Sequence, residues 1–427
     1  MNVKHNSIYS KDINNSLTFD KLNKDVSCDI AIIGGGFTGL SAAINLAETG
    51  YKVSLFEKEF IGYGCSGRNG GHLVQGWSSD FSKIQNSIPK EYHKMAWDAG
   101  IEAVDIVLKR IKKYKINCDL KLGYVYAALH KRQLNELETM KAEWEAYGYK
   151  GLTFLKDKGA IKEHVNTEVY IGGLHDKGSG HLHPMKYLKG LSKVASDLGV
   201  NIYEKTFINK RIDGGKCLLF SEDGNKIEAS SVLLCGNAYL EGVSSKAMTR
   251  KLARVTSSVM ATSPVDEKTF KNLIPNNAAI ADCNTALNYY RFDYNKRMIF
   301  GGRSSYTNIN PKDVTNSLMK KMVHIFPSLE NIDVEMAWSG KIGITISRIP
   351  HFGKINKNVY FAQGYSGHGV ALTALAGNMM AEAIRSDTNR FEILSQFKHM
   401  TFPGGFLRTP VLALGMSWFK IKDWLKI

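Results

Sequence analysis

The sequence predicts an α/β protein in which one parallel-sheet domain is assembled from separated segments, with an antiparallel-sheet domain inserted between them. Three observations predict it. The apolar run Asp29-Ile30-Ala31-Ile32-Ile33 ends on glycines and leads into a helical pattern and then a second apolar run. Two more buried-strand patterns recur far downstream, at residues 231–235 and 359–362. Between them, residues 252–303 fall into short segments that alternate in polarity, as antiparallel strands do.

Residues 1–25 are polar and mixed in charge, and read as a leader that packs onto the body or stays mobile. The run ending at Ile33 has the unbroken apolar character of a strand buried on both faces. A helix is expected over 38–49, ended by Gly50, and a second strand over 52–56 with Glu57 at its tip, which completes a β-α-β unit. Residues 61–76 then carry Gly62, Gly64, Gly67, Gly70, Gly71 and Gly76, a density that asks for tight turns and close approach to something bulky. Further helices are expected over 91–113, 131–147, 185–198 and 370–384. The chain divides accordingly. Residues 26–90, 176–250 and 346–400 form the three parts of the parallel-sheet domain. Residues 91–175 are a helical segment that begins the inserted domain, and 251–345 are its antiparallel sheet. Residues 401–427 are an apolar and basic tail, amphipathic enough for weak association with a membrane surface.

A chain of 427 residues with 44% apolar and 22% charged residues is not disordered, collagenous or a coiled coil. The net charge of +16 is mostly lysine spread along the chain, with no arginine-rich arm and no zinc-finger spacing. It favours a small anionic cofactor or substrate over nucleic acid. Cys28, Cys65, Cys118, Cys217, Cys235 and Cys283 form no CxxC pair and no disulfide framework. The first 25 residues hold no secretory core and no stretch approaches eighteen apolar residues, so a cytoplasmic location is expected.

Gly34-Gly35-Gly36-Phe37-Thr38-Gly39 fits G-x-G-x-x-G directly after a strand and at a helix start, the context that gives the motif its meaning. Gly34 permits a tight turn, Gly36 lets the main chain approach a pyrophosphate, and Gly39 lets the helix pack close to the strand. The helix start offers free N–H groups to the phosphates. Glu57, 23 residues past Gly34, is placed to accept hydrogen bonds from a ribose diol and opposes a 2′-phosphate. These residues predict a Rossmann-like site for an adenine dinucleotide other than NADP. The fingerprint leaves FAD and NAD both open.

Gly64-Cys65-Ser66-Gly67-Arg68-Asn69-Gly70-Gly71-His72 is far more specific. So are Trp338-Ser339-Gly340-Lys341 with Arg348-Ile349-Pro350, and Gly364-Tyr365-Ser366-Gly367-His368-Gly369-Val370. Phe402-Pro403-Gly404-Gly405 with Leu407-Arg408 and Leu414-Gly415-Met416 completes the set. On these motifs the chain, from about Asp29 to Trp424, resembles the glycine-oxidase, sarcosine-oxidase and D-amino-acid-oxidase group of FAD enzymes, and within it the gamma-glutamylputrescine oxidase subgroup. The resemblance implies a glutathione-reductase-type FAD domain. It assigns to the cofactor Gly34, Gly36, Phe37, Thr38, Gly39, Glu57 and Lys58, then Gly64, Ser66, Gly67, Arg68, Asn69, Gly70 and Gly71. Phe207, after Thr206, belongs to the adenine region, and Cys235 and Gly236 to the strand end that closes over the dinucleotide. Gly340, with Gly364, Ser366, Gly367, His368, Gly369 and Val370, belongs to the flavin end. His72 stands where the subgroup has glutamine. No cysteine follows Cys283, where some sarcosine-oxidase relatives attach their flavin, so bound but non-covalent FAD is implied, with Cys65 the one alternative attachment point.

The implied reaction removes hydrogen from a carbon bearing a neutral amine, and the imine then hydrolyses. Electrons pass to oxygen, giving hydrogen peroxide, or to another acceptor. Gamma-glutamylputrescine, which carries a carboxylate and an amine, is the best single substrate expectation. A general secondary-amine or amino-acid oxidase, or a dehydrogenase feeding a quinone or carrier protein, comes next. The catalytic candidates are His368, His72, Lys341 and Arg348, with Tyr289 and Arg291 expected to line the cleft. His181 and His183 could share a strand face, but no third ligand accompanies them and no metal is expected. Trp77, Trp97 and Trp144 read as core.

Overall fold

Strand β1 (Val26–Ile33) lies at the centre of an eight-stranded sheet because both its faces are covered. It is followed by helix α1 (Phe37–Ala47) and strand β2 (Val53–Phe56), as the β-α-β pattern requires. Strands β3 (Asn201–Tyr203), β4 (Lys226–Leu234), β5 (His351–Asn356) and β6 (Val359–Gln363) complete the row β5-β6-β4-β1-β2-β3. All neighbours from β6 to β3 run parallel, and β5 turns back antiparallel at the edge. The hairpin Ile208–Ile212 with Cys217–Ser221 hangs from β4. This is the α/β sheet from separated segments that the sequence predicts. The computed structural model describes residues 7–13, 17–305 and 311–403.

The second sheet has nine strands. Its path runs from Val334–Ile344 through Ala253–Pro264, Arg297–Ser305, Tyr289–Phe292 and Ala279–Asp282 to Lys121–Ala128, Gly172–His181 and His72–Leu73. Neighbours are antiparallel except Ala279–Asp282, which runs parallel to Lys121–Ala128. The expected boundary between residues 175 and 176 falls inside strand Gly172–His181, and His72–Leu73 pairs with this second sheet.

The two sheets share a core. Helix α2 (Gly369–Arg385) is buried along most of its length because Ala, Leu and Met occupy nearly every position facing α1 and the helix His93–Tyr114. Its crossing with α1 is close: a Cβ on Gly377 would lie 2.6 Å from the Ala42 nitrogen. Each Leu or Met buried there stabilises the fold by about 1.5–3 kcal/mol. Trp77, Trp97 and Trp144 are in this core. The far face of the second sheet is covered by helix Pro311–Ile325 through Val314, Leu318, Met322 and Ile325.

The leader docks. Residues Ile8–Lys11 form one helical turn with Ile8 and Tyr9 fully buried, and the Tyr9 ring packs edge-on against His183 and Trp338. Asp12 pairs with Arg297, which also binds Asp293. The tail, expected to be amphipathic, lies outside the described residues from 404 onward.

Candidate active site

One continuous cavity of about 1020 Å³ runs from the glycine fingerprint to the start of α2. At its first end β1 hands over to α1 through Gly34, whose φ of +112° is open to glycine alone at low cost. The N-cap of α1 is Gly36, which has no side chain to cap the helix, and the helix starts at the cavity wall. A Cβ on Gly36 would stand 2.8 Å from the Ser66 hydroxyl oxygen, and that oxygen accepts the Phe37 N–H at 3.1 Å. Glu57 accepts the Gly35 N–H at 2.7 Å and the Glu59 N–H at 3.0 Å. Burial pushes its carboxyl up, with Glu204 adding to the rise and the two N–H groups opposing it.

Glu204 is there for a topological reason. β2 and β3 run parallel with Phe56 opposite Tyr203, so the next residue of each strand is a carboxylate. Buried Glu204 accepts the Ile61 N–H at 2.7 Å and so fixes the entry to the glycine loop. Beside it, Lys58 lies 4.2 Å over the Phe207 ring and 3.1 Å from the Glu241 carboxylate.

The glycine loop is held by its own polar side chains. Asn69 donates to the Cys65 and Ser66 carbonyls and accepts the Gly71 N–H. Arg68 donates to the Tyr63 carbonyl at 2.7 Å and the Ser339 carbonyl at 3.2 Å, which ties the loop to the second sheet. Thr38 and Tyr365 join hydroxyls at 2.9 Å, which ties α1 to the last segment.

At the far end, Tyr365 to Val370 line the cavity and α2 begins without a capping side chain from its N-cap residue. Its free N–H groups and dipole favour negative charge there. His368 is half-buried at this helix start. Burial lowers its imidazole to about 4, the Arg348 charge acts the same way, and the Gln75 carbonyl pulls back. His72 faces the same space, edge-on to the Tyr124 and Tyr289 rings. Burial first, then the Arg291 charge, holds its imidazole well below the usual histidine range, and its Nε2 is buried without a hydrogen-bond partner. Both rings are neutral at physiological pH. Lys341 and Arg348 sit exposed at the rim. Arg348 has a left-handed φ of +62°, braced by Ser78, whose hydroxyl donates to its carbonyl at 2.7 Å.

The cavity thus brings together all four catalytic candidates, His72, His368, Lys341 and Arg348. It is also lined by Gly34, Gly36, Phe37, Thr38, Glu57, Lys58, Gly64, Ser66, Arg68, Asn69, Gly70, Phe207, Cys235, Gly236, Gly340, Ser366, Gly367, Gly369 and Val370. Gly39, Gly67, Gly71 and Gly364 lie behind the lining as packing positions; a Cβ on Gly39 would come 2.0 Å from the Gly34 carbonyl oxygen. Tyr289 lines the cavity, but Arg291 does not. Arg291 is two residues deeper on the same strand face, covered by the glycine loop, and donates to the Gly70 carbonyl at 2.7 Å. His181 and His183 diverge: His181 bonds the Asn277 carbonyl, while His183 caps the helix Pro184–Asp197 by accepting the Lys186 N–H. No cluster of three metal-ligating side chains occurs among the described residues. Sequence reasoning missed Tyr124 and Tyr239, which also line the cavity, the Tyr239 hydroxyl accepting the Lys341 N–H at 2.8 Å, and Glu204 behind it. Only Glu204 carries a local signal, a carboxylate at a strand end like Glu57.

Comparison with known proteins gives this geometry its family. The family model for DAO-type FAD-dependent oxidoreductases matches residues 29–383. The chain is 36% identical to the gamma-glutamylputrescine oxidoreductase of Escherichia coli over 422 residues, which is 99% of each chain. It is also 36% identical to a probable oxidoreductase, OrdL, of Haemophilus influenzae over 422 residues, 98% of this chain and 97% of the other. The fold matches the crystal structure of an L-proline dehydrogenase from P. horikoshii with a TM-score of 0.73 at 18% identity, covering 87% of this chain and 96% of that one. The chain belongs to the DAO family of FAD-dependent oxidoreductases.

Proposed function

We propose that the chain holds FAD non-covalently along this cavity and oxidises the C–N bond of an amine that also bears a carboxylate, gamma-glutamylputrescine being the substrate we favour. The carrying observation is the far end of the cavity: two neutral imidazoles between tyrosine walls, with two cations at the rim. The lining carboxylates, Glu57, Glu59 and Glu241, belong to the opposite end around Lys58. Similarity to the E. coli gamma-glutamylputrescine oxidoreductase along the whole chain supports the same reading. Six free cysteines among the described residues fit a cytoplasmic enzyme.

The cofactor suits the residues present. Two helix starts whose N-cap residues give no side-chain cap face the cavity at opposite ends, one suited to phosphates and one to a flavin edge. FAD held there would supply a two-electron acceptor for the hydride of the substrate carbon, reoxidised by oxygen or another acceptor. The protein's part is placement. His368, neutral, accepts the amine N–H and leaves the nitrogen lone pair free to form the C=N bond. His72 contacts the substrate from the second sheet. Arg348, whose charge His368 feels, holds the carboxylate, and Lys341 adds positive charge at the rim. The apolar and aromatic walls exclude water from the reacting carbon.

Anaerobic mixing of the yellow protein with gamma-glutamylputrescine and a panel of amines and amino acids tests this reading. Loss of flavin colour with an amine is the expected result, followed by peroxide on admitting oxygen. A flavin that no amine bleaches refutes it. Reoxidation by a quinone but not by oxygen identifies a dehydrogenase. Acid precipitation should release the flavin, and colour retained in the pellet overturns non-covalent binding.

Two further outcomes follow. Glu57→Ala should weaken FAD binding by about 1–3 kcal/mol, the loss expected when a charged hydrogen bond is removed; titration calorimetry of the apoprotein measures it. The anaerobic reduction rate should rise from pH 6 to 9 and then level, as the substrate ammonium loses its proton. His368, held at about 4, stays neutral across that window and adds no step of its own. Protonation below that pH removes its acceptor nitrogen, so this group can only lower the rate on the acid side. A rate that falls steadily from pH 6 to 9 in folded protein contradicts the mechanism.

A further inference from the structure

The glycine loop meets the cavity with one side and is held through three carbonyls on the other. Arg68, Asn69 and Gly70 line the cavity. The Arg68 carbonyl accepts the Trp338 indole N–H at 2.9 Å, and the Gly70 carbonyl accepts the Arg291 Nε–H at 2.7 Å. The Gly71 carbonyl accepts the Leu182 N–H at 2.8 Å. Trp338, Arg291 and Leu182 stand outside the cavity lining. They belong to strands Val334–Ile344 and Tyr289–Phe292 and to the residue just past strand Gly172–His181, so distant parts of the second sheet converge on one short loop.

These three anchors share a neighbour. Tyr9, fully buried in the docked turn Ile8–Lys11, packs edge-on against Trp338 with ring centroids 5.3 Å apart. Its hydroxyl oxygen accepts a hydrogen bond from Arg291 Nη2 at 3.5 Å. Its ring also meets His183, the residue after Leu182, at 5.0 Å between centroids. Tyr9 itself does not reach the cavity. The turn is fastened from its far end, where Asp12 pairs with Arg297 and stands 3.4 Å from His183 Nε2. It precedes residues 29–383, the stretch that carries the family match, so that match gives it no role.

The ring matters to the loop in two ways. It closes the space beside Arg291, whose guanidinium also donates to the Phe292 carbonyl. Water admitted there would compete with the Gly70 carbonyl for the same donors. The fit is also close: a Cβ on Gly71 would stand 2.8 Å from Arg291 Nη2, so a shift of the guanidinium moves the loop.

We propose that Tyr9 is a positioning residue for the glycine loop: through Trp338, Arg291 and the Leu182-His183 pair it fixes the carbonyls of Arg68, Gly70 and Gly71, and with them the shape the loop offers to the cofactor. This rests on the placement of FAD along the cavity proposed above.

Amide hydrogen exchange of the apoprotein tests the positioning without the cofactor, and FAD titration tests its consequence. In Tyr9→Ala a peptide covering residues 62–73 should exchange faster than in the parent, because its Gly67, Arg68 and Gly71 N–H groups are bonded within the loop. The Kd for FAD should rise roughly tenfold, the scale of losing a support behind groups that touch a ligand. Tyr9→Phe, which keeps the ring, should restore both readouts to near the parent's. Met322→Ala is the control, since Met322 is buried on the far face of the second sheet. It should lower the melting temperature and leave both readouts unchanged. Tyr9→Leu fills most of the volume without the ring or the hydroxyl; it should give the same two shifts by less, and serves if Tyr9→Ala does not fold. Parent-like loop exchange and Kd in folded Tyr9→Ala or Tyr9→Leu overturn the proposal, as does a Met322→Ala protein whose Kd rises as much. Faster loop exchange with an unchanged Kd upholds the positioning and refutes the placement of FAD against this loop.

Discussion

Gly36→Val is expected to purify folded and colourless. The position has φ −87° and ψ −174°, an extended conformation that valine adopts readily, so the backbone itself does not object. Space does. The added Cβ would stand 2.8 Å from the Ser66 hydroxyl oxygen, and its two methyl groups would occupy the gap through which the α1 start meets a pyrophosphate. Overpacking at a closed contact costs roughly 3 kcal/mol or more, over a hundredfold in Kd. Flavin absorbance per chain after purification, and FAD titration of the apoprotein, measure the loss. Circular dichroism guards against misfolding. A yellow Gly36→Val protein with parent affinity removes the cofactor from this end of the cavity.

His368→Ala should behave in the opposite way, keeping its FAD and losing its rate. The imidazole lies at the α2 start, away from the fingerprint and from Glu57. Its removal leaves the amine without an acceptor. Single-turnover flavin reduction at saturating amine should slow by roughly 10- to 10⁴-fold, with the upper end reserved for a group that moves a proton in the reacting complex. Because that rate is read at saturation, a defect in substrate affinity alone does not mimic it. Parent-like reduction with FAD still bound makes His368 a brace for the glycine turn.

The parallel sheet was legible because strands buried on both faces must be apolar throughout. The runs at Ile30–Ile33, Ser231–Cys235 and Val359–Ala362 stand out on those grounds alone, and they became β1, β4 and β6. Pairing was less visible. The parallel contact of Ala279–Asp282 with Lys121–Ala128 joins distant residues, and no local pattern encodes it. The docked turn Ile8–Lys11 was hidden for a related reason. One adjacent apolar pair in a mostly polar leader is too little to signal a helix, yet Ile8 and Tyr9 fill a slot made by other segments. In the site, the glycine-rich loops were legible, since dense glycine has few purposes. Tyr124 was not, because an aromatic residue in an alternating strand looks the same whether it faces a core or a cavity. Arg291 misled for the converse reason. Its charge suggests a cleft, but three main-chain and phenolic oxygens satisfy it under the glycine loop.

The hydroxyl contact between Thr38 and Tyr365 joins residues 327 positions apart. During translation at about 5–20 residues per second, the fingerprint therefore waits roughly half a minute for its counterpart to leave the ribosome. Through that interval α1 lacks the helix that covers it, and in its later part β4, once made, has no β6 beside it. An unpaired strand edge and a bare apolar helix face are the surfaces that chaperones bind and that nascent chains aggregate through. Yield in cells should thus depend on synthesis rate and chaperone supply more steeply than for a protein whose first strand pairs with its near neighbours. Flavin colour acquired by ribosome-bound chains of increasing length would mark the moment the sheet closes.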